Sequence, residues 1–333
     1  MNLFKIKRYR FKKLNNEKIF NLSFFFITHL AFSQKLKKVI VSSEDPYYFY
    51  LNDGDSTNLF YYKIVPKEKP VGTLVILPSS GETIRKMLKQ ITLHKLAYQN
   101  NILVILPSYN YGTIQRTPDV AFLDDIFEEV VKDHQVSKDS FVFCGLSNGG
   151  MISFDYAIRA VGDSSTFLTP KGIIGIDPPI DLIRFYNYCQ REISRNFSPA
   201  GVGKAKWLAD VYEKVFGGTP KENRQNYVDA SAYTFGEKEG GNAKYLTNIG
   251  VRMCTDLDVD YLLKDRHRDL YDWNGIDIVA FVNQLKINGN TNAEVFNSQG
   301  NGVRLDGTKH PHSWSIMNND ESLNWILKLF EYK

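Results

Sequence analysis

The middle of the chain alternates short continuous apolar runs with longer segments of helical spacing. Such runs predict strands that are buried on both faces of a sheet. The helical segments run from Glu82 to Gln99 and from Pro118 to His134, where Phe122, Ile126 and Val130 repeat at helical intervals. Strands that alternate with helices indicate a mostly parallel sheet with helices on both faces, an α/β fold. The predicted buried strands are Gly72 to Pro78, Ile102 to Pro107, Phe141 to Cys144, Gly172 to Ile176 and Asn248 to Cys254.

Further elements are predicted at both ends of this region. Before it, β-branched and aromatic residues fill Lys38 to Ser42, Tyr47 to Leu51 and Leu59 to Val65, with turn residues at Asn52 to Asp55. We therefore expect an antiparallel start to the sheet. After it, the pattern predicts a helix from Ile276 to Lys286, a short strand from Ala293 to Phe296 and a closing amphipathic helix from Asp320 to Phe330.

Residues 180 to 245 interrupt the alternation. They follow Asp177-Pro178-Pro179, where two prolines end the preceding strand, and are rich in Tyr, Phe, Trp and charged residues. A helical patch extends from Lys204 to Phe216. The sequence thus predicts a core in two parts, 34 to 179 and 246 to 333, separated by an inserted segment.

Charge is distributed unevenly along the 333 residues. The net charge is +4, but residues 1 to 33 hold seven Lys or Arg against Glu17, so that the remainder carries 4 − 6 = −2. This argues against a nucleic-acid partner. The basic start, the apolar run from Ile19 to Phe32 and the small residues Ala31 and Ser33 indicate a signal peptide cleaved after Ser33, hence a secreted or periplasmic protein with no stable membrane span after processing. An uncleaved anchor is the alternative.

The three cysteines, Cys144, Cys189 and Cys254, have no disulfide or metal-site spacing. A metal at His310 and His312 with Asp306 would need both rings on one face of a strand, whereas Pro311 favours a loop. We therefore expect neither a metal nor a cofactor. The oligomeric state is left open by the sequence.

The stretch Gly145-Leu146-Ser147-Asn148-Gly149 carries the most specific chemistry. It lies between a predicted strand and a helix that begins near Gly150. A serine at such a turn has a strained backbone, and the flanking glycines are needed because a Cβ would collide with neighbouring elements. Ser147 is therefore a candidate nucleophile.

With this G-x-S-x-G turn in its strand-turn-helix context, the chain resembles the α/β-hydrolase superfamily from about residue 59 onward. The resemblance implies the α/β-hydrolase fold, in which the segment from 180 to 245 would form a lid or cap over the active site. It also implies the chain order serine, acid, histidine, with the acid after the strand that follows the insertion and the histidine after the last strand.

Candidates for both partners occur at the implied positions. Asp258 is the preferred acid, with Asp256 as its alternative, and His312 is the preferred base, with His310 as its alternative. The oxyanion hole is expected to combine the N–H of Asn148 with an N–H from the loop after the Gly72 strand. Ser80 is the preferred second donor and Ser79 the alternative, although Pro78-Ser79-Ser80-Gly81 departs from the family's frequent His-Gly pattern.

Three functions remain compatible with these residues. A serine hydrolase that cleaves a small-molecule or polymer-derived carboxylic ester through an acyl-enzyme is favoured. A peptidase could use the same triad. A catalytically silent protein could instead bind a glycan or lipid through Tyr109, Tyr111, Trp207 and Tyr233.

Overall fold

The computed structural model describes residues 35–41, 59–108 and 117–331. The predicted leader, the strand from Tyr47 to Leu51, its turn, and Tyr109 and Tyr111 lie outside these residues. The described strands are β1 Lys37–Val41, β2 Leu59–Ile64, β3 Gly72–Leu77, β4 Ile102–Pro107, β5 Phe141–Leu146, β6 Gly172–Ile176, β7 Gly250–Thr255 and β8 Ala293–Asn297.

These strands form one sheet in the order β1-β2-β4-β3-β5-β6-β7-β8. The first two strands are antiparallel to their neighbours, and β4, β3, β5, β6, β7 and β8 pair in parallel. The predicted antiparallel start and parallel remainder are confirmed. Parallel strands all present their carboxyl ends at one edge, so the loops after β3, β5, β6, β7 and β8 can meet there.

Helices cover both faces of the sheet. They are α1 Ile84–Met87, α2 Leu93–Gln99, α3 Thr117–His134, α4 Asn148–Gly162, α5 Leu182–Arg195, α6 Pro199–Phe216, α7 Arg224–Ala230, α8 Val259–Arg266, α9 Asn274–Ile287 and α10 Asn319–Glu331. Successive side chains of a strand point to opposite faces. Leu74 and Ile76 of β3 accordingly pack with α1, α2 and α10, whereas Val75 and Leu77 pack with α3 and α4.

The structure differs from the prediction at two places. The single helix expected from Glu82 to Gln99 is two short helices, α1 and α2. The segment after β7 folds into α8, a helix that the sequence did not predict. None of the helices within the described residues is long and apolar enough to cross a membrane.

The inserted segment is helical, as its pattern predicted. Helices α5, α6 and α7 share an apolar cluster of their own, in which Tyr186, Tyr212 and Tyr227 are buried. A 3-10 helical segment, Lys238–Leu246, which is interrupted by non-helical backbone from Glu239 to Gly241, leads back to β7. The segment therefore packs as a unit beside the sheet rather than as a loose loop.

Candidate active site

Ser147 lies on a sharp turn between β5 and α4. Its backbone has φ 54° and ψ −115°, which is unusual for a residue with a side chain. A Cβ on Gly145 would lie 2.2 Å from the carbonyl carbon of Gly149, and a Cβ on Gly149 would lie 2.3 Å from the carbonyl oxygen of Leu77. Larger residues are thus excluded at both glycines, and the predicted strand-turn-helix geometry around Ser147 is confirmed.

His312 is paired with a carboxylate that the sequence did not single out. Its Nδ1 lies 2.7 Å from Oδ2 of Asp177, the first residue after β6. The Asp177 side chain is fully buried, whereas that of His312 is 23% exposed. A carboxylate at Nδ1 keeps the ring proton on that atom and leaves Nε2 free to accept a proton.

Several contacts hold Asp177 in place. Its backbone is in the left-handed region at φ 44°, and its N–H donates to the carbonyl of Cys254 at 2.8 Å. Asn274 donates from Nδ2 to the Asp177 carbonyl at 3.0 Å, and Thr255 Oγ1 lies 3.4 Å from Oδ1. Burial raises the pKa of Asp177, and the hydrogen bond from His312 opposes that rise. The carboxylate is thereby fixed against the imidazole.

A buried polar network lies behind Asp177. Asn274 also accepts from Arg184 Nη2 at 3.0 Å, and Arg184 Nε donates to Asp277 Oδ2 at 2.6 Å. Burial raises the pKa of Asp277 to about 7, although Arg184 opposes the rise. The charge of Arg184 also lowers the pKa of Asp177. One guanidinium therefore offsets the mutual repulsion of the acids around it.

The expectation that Asp258 or Asp256 would contact the histidine is wrong. Asp258 caps the N-terminus of α8, accepts from the N–H of Tyr261 at 3.0 Å and forms an ion pair with Lys309. Asp256 is buried and accepts from the N–H groups of Gly300 and Gly302. Both carboxylates are engaged by the segments that pack against them, so neither faces the imidazole.

His310, the alternative base, contacts the histidine loop itself. The N–H of His312 donates to His310 Nδ1 at 3.2 Å. Burial, followed by the charge of Arg304, lowers the pKa of His310 to about 3. His310 is neutral near pH 7 and supports the backbone of His312, whereas His312 holds the carboxylate.

The two candidate oxyanion donors of the β3 loop differ in their partners. The N–H of Ser79 donates to Glu82 Oε2 at 3.3 Å. Among the described residues, neither the N–H of Ser80 nor that of Asn148 has an acceptor. The same Glu82 oxygen accepts from Trp314 Nε1 at 2.8 Å. Glu82 thus ties the β3 loop to the histidine loop and leaves Ser80 N–H available.

Ser80, Ser147 and His312 line one cavity of about 1090 Å³. Apolar side chains from the inserted helices line it as well. The apolar lining includes Phe185, Tyr188 and Leu208 of the inserted helices, and Trp273 from the segment before α9. Two of the four aromatic residues that the sequence suggested for ligand binding lie within the described residues, and neither lines the cavity: Trp207 is 53% exposed, and Tyr233 is buried in the core.

The described residues contain no group of three or more His, Cys, Asp or Glu that could hold a metal ion. The three cysteines are free and buried.

The chain was compared with known proteins. No protein-family model matches the sequence, and no curated protein matches it. Among solved structures, EstE1, a thermostable carboxylesterase from a metagenomic library, gives a TM-score of 0.55 at 13% identity, covering 89% of this chain and 88% of its own. Carboxyl esterase 2 of Tuber melanosporum gives a TM-score of 0.54 at 15% identity, and the match covers 90% of this chain and 88% of the esterase.

An acylaminoacyl peptidase of Pyrococcus horikoshii has a similar core. It gives a TM-score of 0.51 at 16% identity and covers 90% of this chain but 41% of its own. Identities of this size relate folds and not activities. The chain therefore has the α/β-hydrolase fold.

Proposed function

We propose that this protein is a serine hydrolase that cleaves a carboxylic ester through an acyl-enzyme on Ser147. The observation that carries the proposal is the 2.7 Å contact between His312 and the buried Asp177, on a histidine that lines the same cavity as Ser147. Serine alone is a weak nucleophile and needs a base held in one tautomer. The esterases of similar fold add support.

In the first half of the reaction, Ser147 Oγ attacks the carbonyl carbon of the ester, and His312 Nε2 accepts the serine proton. Asp177 stabilises the resulting imidazolium. The oxyanion of the tetrahedral intermediate accepts hydrogen bonds from the N–H groups of Asn148 and Ser80. Donors that are already in position favour the transition state, in which the charge develops.

The intermediate then collapses. The bond between the carbonyl carbon and the alcohol oxygen breaks, and His312 returns its proton to the leaving alkoxide. A water molecule next attacks the acyl-enzyme, with His312 again accepting the proton, and the acid is released as Ser147 regains its proton. The cycle consumes one water and needs no cofactor.

Two further parts of the proposal concern the rest of the chain. We propose that the inserted segment covers the acyl pocket, because Phe185, Tyr188 and Leu208 from α5 and α6 line the cavity. We also propose that residues 1 to 33 are removed on export, on the ground of their basic and apolar pattern. An intact leader in exported material, measured by mass spectrometry, would contradict the second.

A serine-directed fluorophosphonate probe tests the function. The proposal predicts labelling of Ser147 in the wild type, no labelling of Ser147→Ala, and labelling of Ser80→Ala, since only the backbone of Ser80 is used. Hydrolysis of 4-nitrophenyl acetate should follow the same pattern, with a loss of about 10⁴-fold or more in kcat for Ser147→Ala.

A substrate panel separates the alternatives. Turnover of peptide anilides without turnover of esters would make the protein a peptidase. A wild type that neither labels nor turns over any ester or anilide would be a catalytically silent binding protein. Either result would overturn the proposed ester hydrolysis.

A further inference from the structure

The backbone of Asp177, the candidate acid, is strained. Its φ of 44° lies in the left-handed region, which is uncommon for a residue with a side chain. The next residue is Pro178, whose ring favours extended backbone at the residue before it. A strained conformation of this kind persists only where the surrounding structure holds it in place. Contacts from other segments must therefore fix Asp177.

The carboxylate of Asp177 has few partners of its own. His312 Nδ1 lies 2.7 Å from Oδ2, and Thr255 Oγ1 lies 3.4 Å from Oδ1. Among the residues that the structure describes, no backbone N–H donates to either oxygen, whereas Asp256 accepts from two. The direction of the Asp177 side chain is therefore set mainly by its own backbone.

Asn274, at the start of α9, holds the Asp177 backbone at its carbonyl group. Its Nδ2 donates to the Asp177 carbonyl at 3.0 Å, and its Oδ1 accepts from Arg184 Nη2 at 3.0 Å. A guanidinium can only donate, so it determines which end of the amide faces the Asp177 carbonyl. Because Asn274 is buried, turning the amide round would leave polar groups without partners.

Arg184 is itself fixed by a buried ion pair. Its Nε donates to Asp277 Oδ2 at 2.6 Å, and the two side chains are only 11% and 6% exposed. Arg184 lies in the first turn of α5, the first helix of the inserted segment, whereas Asn274 and Asp277 lie in the first turn of α9. The candidate acid is thus connected through Asn274 to the inserted segment.

The charge of Arg184 also favours the ionised form of the acid. Burial raises the pKa of Asp177, and the charge of Arg184 opposes that rise. Burial raises the pKa of Asp277, the partner of Arg184, to about 7, so that below pH 7 the guanidinium acts on Asp177 with little cancellation. Titratable neighbours of the Asp177–His312 pair also include Asp181, which caps α5, and His310, which is neutral near pH 7.

We propose that Asn274 and Arg184 are positioning residues for the reaction, which hold the Asp177 carboxylate against His312 and so make α5 of the inserted segment a support of the catalytic acid. This inference rests on the proposed function. Within the described part of the chain neither side chain donates to Ser147 or His312, so both act through Asp177. Asn274 directs the carboxylate through the Asp177 backbone, and Arg184 orients the Asn274 amide and stabilises the ionised carboxylate.

Steady-state kinetics on 4-nitrophenyl acetate test both residues in variants shown to be folded by circular dichroism. Asn274→Ala should lower kcat about 10- to 100-fold and leave KM within about threefold, because the acid is misplaced while substrate binding is not. A double variant, Arg184→Gln with Asp277→Asn, removes both buried charges together, so that neither is left unpaired. It should lower kcat about tenfold.

Arg191→Gln is the matched control. Arg191 lies on the same helix, but it pairs with Asp269 and Asp272, is 43% exposed and does not line the cavity. Its loss should leave kcat within about twofold of the wild type.

The pH dependence separates a charged positioning residue from a purely structural one. Removing the Arg184 cation favours proton uptake by the Asp177–His312 pair. In the double variant, the ratio of kcat/KM at pH 8 to kcat/KM at pH 6 should therefore rise about twofold or more over the wild type. Arg191→Gln should leave this ratio unchanged.

Crystal structures of the wild type and Asn274→Ala test the positioning without any need for activity. The variant should lose the contact between Asp177 and His312, which spans 2.7 Å when Asn274 is present. A carboxylate that keeps its place in the variant overturns the role of Asn274. If Asn274→Ala does not fold, the double variant, which leaves Asn274 in place, decides the inference through kcat and the pH ratio.

The outcomes separate this inference from the proposed function. Ester turnover with kcat and the pH ratio unchanged in the double variant overturns the role of Arg184 and leaves the hydrolase intact. Equal losses of kcat in Arg191→Gln and in the double variant overturn the assignment to this network. If the wild type hydrolyses no ester, the proposed function fails, and the crystal structures alone decide whether Asn274 holds Asp177.

Discussion

The loops after β6 and β7 both begin with an aspartate, but the two aspartates have different roles. Each follows a buried parallel strand, and each places a buried aspartate at the carboxyl edge of the sheet: Asp177 after β6 and Asp256 after β7. Asp177 faces His312. Asp256 accepts hydrogen bonds from the N–H groups of Gly300 and Gly302 in the loop after β8, which we call the glycine loop. Asp258 caps α8.

The difference shows that strand position alone does not select the acid. A carboxylate at a strand end becomes available for an imidazole only if no nearer backbone donor engages it. After β6 the chain continues through Pro178 and Pro179, which have no N–H to offer. After β7, Gly300 and Gly302 offer theirs, and α8 offers its free N-terminal groups.

Replacing the histidines of the loop after β8 should have the largest effect on activity, because His312 contacts Asp177 of the β6 loop and His310 does not. His312→Ala should lower kcat by about 10⁴-fold or more, because the base that Asp177 holds is lost. His310→Ala should cost less than about a hundredfold, since it removes only the acceptor for the His312 N–H. Steady-state kinetics on a short activated ester measure both. A dead His310→Ala beside an active His312→Ala would reverse the assignment.

Asp256→Asn tests the structural role of the β7 loop. Only one oxygen remains to accept from two N–H groups, and the new amide NH₂ faces a donor, so the free energy of unfolding should fall by about 2 kcal/mol or more. Asp258→Asn loses a cap and an exposed ion pair and should cost about 1 kcal/mol. Urea denaturation compares them. Equal effects would mean that Asp256 does not organise the glycine loop.

Asp277, in the network behind Asp177, and Asp258, after β7, should also change stability with pH in opposite directions. Asp277, behind Asp177, has its pKa raised to about 7, so the folded state keeps a proton that the unfolded chain loses near pH 4; its contribution to stability therefore falls as pH rises from about 4 to 7. Asp177, Asp181, Arg184 and Asn274 are its polar neighbours.

Asp258 titrates in the other direction. The Lys309 hydrogen bond lowers its pKa, so its contribution is present above about pH 4 and is lost as pH falls below that value. Unfolding followed from pH 3 to 8 should therefore show a flatter curve between pH 4 and 7 in Asp277→Asn and a change confined to the acid end in Asp258→Asn. Identical curves would contradict the network described behind Asp177.

Much of the sheet could be predicted because buried parallel strands are continuous apolar runs, and β4 and β6 match their predicted ranges fully. The sharp turn at Ser147 between β5 and α4 could be predicted as well, since local crowding requires glycine at positions 145 and 149. The break between α1 and α2 could not, because apolar spacing continues through Ile91 and hides the turn.

Asp177 was missed because its role depends on a contact across 135 residues. In the sequence, Asp177-Pro178-Pro179 has the pattern of a strand end, and the family resemblance implies an acid after the strand that follows the insertion. A signal was present in the sequence, because Asp177 directly follows the predicted buried strand that comes after helix α4. What no pattern could supply was that Asp256 and Asp258 are engaged by backbone N–H groups and Lys309.

The most direct test of this account compares kcat for Asp177→Asn and Asp258→Asn on one short activated ester, with both variants first shown to be folded by circular dichroism. We expect Asp177→Asn to lose about 10⁴-fold in kcat, because the imidazole loses its preferred tautomer, and Asp258→Asn to stay within about tenfold of the wild type. A folded Asp177→Asn with near wild-type kcat, beside an inactive Asp258→Asn, would contradict it.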